Sequence, residues 1–408
     1  MKSNNNEKDS VFSQVLLWFG AAVSIAEILT GALLAPLGLK MGIVAIIIGH
    51  IIGAVILYMA GIVGAQSGLS SAWSARISFG KYGSYGFSVL NLLQLLGWTA
   101  IMIKNAAIAM NGISIKLWDI NNEALWCVAI AVLICIWVLL GSKNLTKVNI
   151  VVMLVLLAFS IVLGIVVFNR TGTGVNQSSD GSMPFGMAVE LNVAMCLSWL
   201  PLISDYTRNL KNPTLGTVGG VLGYFFGSLL MFIIGLGAAL FTGTSDISEI
   251  LLAAGLGIIA LVIVIFSTVT TTFLDVYSAG VSIKNLNNKI SEKVSAIIVC
   301  ILGTTMAIFV PMSQYENFLY LIGSAFAPLF AILFADYYVA KRRKVNSESM
   351  IDAKNGVLWL IGFISYRLLM PYATIIGITI PVMIGIGIIS VLLNLRRVDG
   401  KWTLRKAA

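Results

Sequence analysis

The chain has 408 residues, 58% of them hydrophobic and only 11% charged, with a mean hydropathy of +0.96. A soluble protein of this size carries roughly 25% charged residues, so a globular enzyme on a single anchor is excluded. The net charge of +9 does not point to nucleic acid, because the basic residues sit in short loops and at the C-terminus, where membrane topology needs them.

Apolar runs of about 20 residues recur from end to end, each long enough to cross a hydrocarbon core. They lack the alternation of a barrel. The expected fold class is an all-α polytopic membrane protein whose constant partner is the lipid bilayer. The first ten residues are polar and carry no cleavable signal pattern. Cys127, Cys135, Cys196 and Cys300 lie in apolar segments without a close pair, which reads as packing residues rather than disulfides or metal ligands.

Twelve spans follow a polar N-terminal segment, 1–13: 14–35, 42–64, 84–113, 124–140, 148–168, 186–203, 214–241, 250–278, 293–311, 317–339, 355–370 and 373–394. A Gly- and Ser-rich loop, 169–185, and a basic tail, 395–408, are the main segments outside them. With the N-terminus inside, 21 of the 26 lysines and arginines fall on the cytoplasmic side, including the Lys341–Lys344 run. That bias sets both termini in the cytoplasm of a cell-membrane protein.

Polar residues are not spread evenly. Span 1 carries Ser24 and Glu27, span 3 Gln94, Trp98 and Lys104, span 6 Ser198, Trp199 and Pro201, and span 8 Ser267, Thr270, Thr271 and Asp275. Spans 1 and 6 are five apart, as are 3 and 8, which matches a five-plus-five inverted repeat around a midplane site. The repeats would be 14–168 and 186–339, with 355–394 as two appended helices. Pro201 lacks the N–H that would bond back to Leu197, so span 6 must kink or break there, and a freed carbonyl in lipid needs a partner. A simple proline kink and a binding site are both open.

Several motifs in order resemble the nucleobase–cation symporters that include cytosine permeases and hydantoin transporters. They are Trp18-Phe19-Gly20-Ala21-Ala22, Gly64-Ala65-Gln66-Ser67-Gly68, Gln94 with Gly97-Trp98, Ser204-Asp205-Tyr206-Thr207-Arg208, Tyr277-Ser278-Ala279-Gly280 and Ala335-Asp336-Tyr337-Tyr338. The likeness covers nearly the whole chain and is greatest to the CytX branch, linked to uptake of the thiamin precursor hydroxymethylpyrimidine. It implies a LeuT-like fold with helices 1 and 6 unwound. It also implies a secondary-active importer of a small neutral pyrimidine; cytosine, a purine or a hydantoin are the alternatives. An integral-membrane enzyme is a distant alternative, because a single histidine leaves few catalytic sets. No cofactor is expected, and no metal beyond a coupling sodium ion; the coupling ion is Na+ or H+. Nothing in the sequence sets an oligomeric state.

The resemblance makes Trp98 the stacking residue for a flat ring, against a plain packing role; offset stacking adds about 0.5–1.5 kcal/mol to burial. Gln94 lies one turn away on the same face and could pair with the ring's edge. Cys196 matches a position where relatives carry a stacking aromatic, so Trp199 would have to supply the second ring, while Ser198 matches a substrate contact. Ser24 completes the substrate set. Ser267, Thr270 and Thr271 put three hydroxyls on one helix face and, with the Gly20 and Val23 carbonyls, match the family's sodium site. The competing reading has these hydroxyls bonded to their own helix. A charge in the bilayer pairs or does work, so three roles stand open for Glu27. It contacts substrate or couples protons, forms an ion pair with Lys104, or is peripheral.

Overall fold

The computed structural model describes residues 9–140, 181–243, 257–287, 289–309, 314–346, 349–372, 374–398 and 401–404, with isolated positions between 151 and 169. Most of expected span 5, the start of span 8 and the end of the tail lie outside the described residues. Among the described residues, eight helical stretches are long and apolar enough to cross a membrane, and two shorter apolar helices join them.

The expected first span is two helices, α1 (Val11–Ala22) and α2 (Ile25–Leu33). Ser10 caps the first by accepting the Ser13 N–H at 3.1 Å. Pro36 and Gly38, the latter at φ 69°, end the second and turn the chain into α3 (Gly38–Ser67). A short turn, α4 (Ser71–Ser74), leads to α5 (Arg76–Trp118), which bends at Gly80 (φ 73°). The N–H groups of Lys81 and Tyr82, freed by that bend, donate to the carbonyls of Ser349 and Met350 at 3.1 and 2.8 Å. α6 (Glu123–Leu140) matches its expected span within a residue.

The expected sixth span is also two helices, α7 (Phe185–Leu197) and α8 (Leu200–Thr207). α9 (Pro213–Thr242) starts on an Asn212 cap with proline at its first position. α10 (Gly257–Leu286), α11 (Glu292–Phe309) and α12 (Tyr315–Phe334) follow, the last running into a π turn, Ala335–Val339. α13 (Ala353–Leu369) and α14 (Thr379–Leu393) close the helical part. The tail, expected only as a basic segment, contains an antiparallel pair, β1 (Leu395–Val398) and β2 (Lys401–Leu404).

The broken helices are the centre of the packing. α1 and α2 lie along α9, α7 lies along α3, and α5 lies along α10. Backbone meets backbone between α2 and α9: a Cβ at Gly31 would strike the main chain of Phe232, and one at Gly235 the carbonyl of Ile28. Small residues that let backbones touch are how helices associate where lipid removes the hydrophobic drive.

Glu190 ties α7 to the last two helices. Its fully buried carboxylate accepts from Tyr366 Oη (2.5 Å), Thr379 Oγ1 (2.6 Å), Thr379 N (2.8 Å) and Ile378 N (2.5 Å). A carboxylate at the start of α14 also meets the positive end of that helix.

Candidate substrate and cation site

Both helix breaks leave main-chain groups free inside the protein. At the first, Val23 adopts φ −77°, ψ 78°, and the Ser24 N–H donates to Ala22 O (2.9 Å) instead of one turn back to Gly20. Ser24 then caps α2, accepting the Glu27 N–H at 3.4 Å. The Gly20 and Val23 carbonyls are thereby released from the regular helix pattern. This break carries no proline; the serine cap makes it.

At the second, the Trp199 N–H reaches only as far as Cys196 O (3.2 Å), and α8 restarts at Leu200. Pro201 is the second residue of α8, where its missing N–H leaves no intrahelical bond unmade. The break therefore lies at Ser198–Trp199, just before the proline. Gln94 of α5 donates its Nε2–H to the freed Ser198 carbonyl at 2.7 Å.

A narrow cavity of about 20 Å³, room for about one water molecule, opens between the two breaks. Ser24, Ala26 and Glu27 come from the first break, and Met195, Ser198 and Trp199 from the second. Trp98 and Met102 line it from α5, Thr271 and Asp275 from α10.

Among the described residues, several polar groups here lack partners. Trp98 is 6% exposed, edge-on to Tyr315 and Phe318, and its indole N–H has no acceptor. The buried Thr271 hydroxyl likewise has no partner. Asp275 is 4% exposed and makes no hydrogen bond or ion pair among the described residues. Buried polar groups are almost always satisfied, so unspent donors and acceptors around one cavity mark a place where another molecule completes them.

Of the expected substrate residues, Trp98, Ser198, Trp199, Glu27 and Ser24 meet at this cavity. Two do not. Cys196 faces α3, where its side chain fills the space a Cβ on Gly53 would need. Gln94 spends its amide N–H on the helix break and does not line the cavity, although its buried Oε1 stays unpaired. Trp199 stands edge-on to Trp18 at 5.4 Å, and Trp18 also packs against Tyr206 and Tyr224.

The expected cation residues divide as well. Ser267 Oγ donates to the Val23 carbonyl at 2.9 Å, joining α10 to the first break. Thr270 turns back on its own helix, donating to Phe266 O at 2.7 Å, as hydroxyls in spans commonly do. The structure thus brings Val23 and Ser267 together, while the Thr271 hydroxyl has no partner among the described residues.

The Glu27–Lys104 ion pair does not form. Lys104 pairs with Glu123 at the start of α6, and both are partly exposed. Glu27, 1% exposed, accepts instead from Tyr224 Oη (2.9 Å) and Ser228 Oγ (2.7 Å) of α9. Hydroxyls satisfy a carboxyl group without a second charge, so the neighbouring lysine is free to stay near water. His50, the only histidine, is not isolated either, as it touches Ser228. Tyr224 and Ser228 sit four apart on one face of an otherwise apolar helix, the only signal in the sequence that α9 contributes here. Asp275, expected at the cytoplasmic end of its span, lies in the cavity because α10 continues to Leu286.

Two broken helices around a shared cavity, with unspent polar groups on the helices that face them, are the architecture of a membrane transporter. The chain matches the family described as "Permease for cytosine/purines, uracil, thiamine, allantoin" over residues 2–399 and belongs to it. It is 27% identical to the cytosine permease of Escherichia coli K12 over 307 residues, 73% of this chain and 70% of that protein. Its fold is that of Mhp1: the inward-facing structure superposes with a TM-score of 0.81 at 17% identity, over 95% of this chain and 90% of that one. The closed Mhp1 structure with bromovinylhydantoin bound gives 0.79 at 19% identity, over 95% and 92%. The protein is accordingly a multi-pass membrane permease with a small-molecule substrate.

Proposed function

We propose that this permease is a secondary-active importer of a small neutral pyrimidine, hydroxymethylpyrimidine first among the candidates, driven by inward movement of Na+ or H+. Twelve spans with both termini in the cytoplasm of the cell membrane, built as two inverted repeats plus two helices, accommodate the basic-residue bias and the paired breaks. In the cycle, α1–α2 and α7–α8 would shield the ring from alternate sides while Trp98 holds its face. The sodium alternative rests on Gly20, Val23, Ser267 and Thr271, and Thr270 would have to leave Phe266 O to join them.

One observation carries the choice of ring. Among the described residues the cavity wall presents two carboxyl groups, Asp275 without a partner and Glu27 held by Tyr224 and Ser228, and no lysine or arginine. Acceptors facing inward suit a ring with N–H donors, such as an exocyclic amine. Hydantoin and uracil also carry ring N–H donors but flank them with carbonyl acceptors, which an inward carboxyl suits less well. The experiment is competition against radiolabelled hydroxymethylpyrimidine with cytosine, uracil, hypoxanthine and hydantoin, on purified protein in nanodiscs. Amino-substituted pyrimidines are expected to displace the label at the lowest concentrations. Displacement by hydantoin and uracil in preference to both aminopyrimidines would overturn the choice of ring.

A further inference from the structure

The hydrogen bonds around Glu27 can be counted donor by donor. His50 Nδ1 lies 2.8 Å from the Ile46 carbonyl, which can only accept, so Nδ1 carries a hydrogen. His50 Nε2 lies 2.7 Å from Ser228 Oγ, and the same hydroxyl lies 2.7 Å from a Glu27 carboxyl oxygen. Ser228 has one hydrogen to give. If it goes to His50, Glu27 must hold a proton and donate it to Ser228. If it goes to Glu27, His50 must carry hydrogens on both nitrogens and donate from Nε2.

Either arrangement contains one proton more than a carboxylate with a neutral imidazole. Without it, the lone pairs of Nε2 and Ser228 Oγ face each other at 2.7 Å. We propose that Glu27, Ser228 and His50 form a single proton-binding site, a relay that carries one exchangeable proton between the wall of the substrate cavity and α3. In the transfer, the Glu27 O–H bond breaks as Ser228 Oγ gains that hydrogen, and the former Ser228 hydrogen forms the Nε2–H bond of His50. No other reactant takes part, and the net charge of the three groups stays at zero.

The surroundings favour a neutral set. Toward Glu27, α9 presents Tyr224, α12 presents Tyr315 bonded to Thr30, α7 presents Cys196, and α10 presents Asp275 across the cavity. α5 presents Trp98 and Met102, which do not titrate. Toward His50, α9 adds the rings of Phe225 and Phe232, and α7 adds the amide of Asn192. Among the described residues no lysine or arginine faces either group, so an ionised Glu27 beside a neutral His50 would be an uncompensated buried charge. Releasing the proton therefore requires water or substrate to reach Glu27, and the cavity that Glu27 lines gives that access. The proposal rests on the transporter reading above and chooses H+ as a coupling ion within it.

The single histidine makes the test direct. Protein labelled with 15N-histidine and held in nanodiscs gives one pair of imidazole nitrogen signals. Those signals are expected to move between roughly pH 5 and 8 in the wild type. They are expected to stay at the neutral, Nδ1-protonated position in Ser228→Ala, where Glu27 is cut off. In sodium-free proteoliposomes an inward pH gradient should drive uptake of hydroxymethylpyrimidine or cytosine, and Ser228→Ala should lower that uptake by about tenfold or more. A wild-type imidazole indifferent to pH would overturn the relay, as would gradient-driven uptake that survives Ser228→Ala. Uptake driven by sodium alone would overturn it too, while leaving the importer intact. Failure of any ring to bind or be carried would instead count against the importer itself, and the imidazole signals would still decide the relay.

Discussion

Replacing Trp98 with phenylalanine separates the two things this side chain offers a ligand. Phenylalanine keeps an aromatic face beside the cavity but removes the indole N–H, which has no acceptor in the ligand-free protein. A neutral hydrogen bond to substrate is worth about 0.5–1.5 kcal/mol net, and the smaller ring forfeits part of a stacking term of similar size. A loss of about 1–2 kcal/mol corresponds to roughly 5- to 30-fold weaker binding. The ligand-free protein loses no hydrogen bond, and removing an unpaired buried donor offsets some of the packing lost against Tyr315 and Phe318. Its melting temperature should therefore shift by only a few degrees (about 2–4 °C per kcal/mol in a chain of this size or smaller). Tritiated-ligand binding and thermal unfolding on the same detergent-purified sample read both quantities. Affinity within about twofold of wild type would refute the placement of substrate against Trp98.

Four further outcomes follow from the same geometry. Glu190→Ala leaves the Tyr366 and Thr379 hydroxyls and the Ile378 and Thr379 N–H groups without their acceptor, and thermal unfolding should show a loss of about 3–5 kcal/mol. Thr271→Val removes a hydroxyl that bonds to nothing among the described residues, so stability should hold while any sodium concentration for half-maximal uptake rises by about tenfold. Lys104→Met breaks only a partly exposed pair with Glu123, costing less than about 1 kcal/mol and leaving uptake at the wild-type rate. Asp275→Asn gives the cavity an amide that serves donor and acceptor edges alike, so competition binding should show the preference for amino over oxo pyrimidines shrinking to within about threefold.

Hydropathy located most of the described helices because burial in lipid leaves a long, unbroken signal, and α6 and α9 begin or end within a residue of expectation. Pro201 made the second break legible from its chemistry. The first break was legible only through family resemblance, because nothing in Ala22-Val23-Ser24 forbids a helix; a serine cap makes it. Of the roles open for Glu27, the ion pair with Lys104 fails because Tyr224 and Ser228 supply hydroxyls from a helix that reads as mostly apolar. Cys196 was placed by alignment along the chain, but the rotation of α7 at its last turn points it at Gly53. The Glu190 clasp needs contacts from residues 366, 378 and 379, which no local pattern links to α7.

Uptake into proteoliposomes, with sodium and pH gradients imposed one at a time, tests the central claim most directly. Labelled hydroxymethylpyrimidine should accumulate above its outside concentration when an inward ion gradient is present and equilibrate without one. Entry at the same rate and to the same level with and without either gradient would contradict the account.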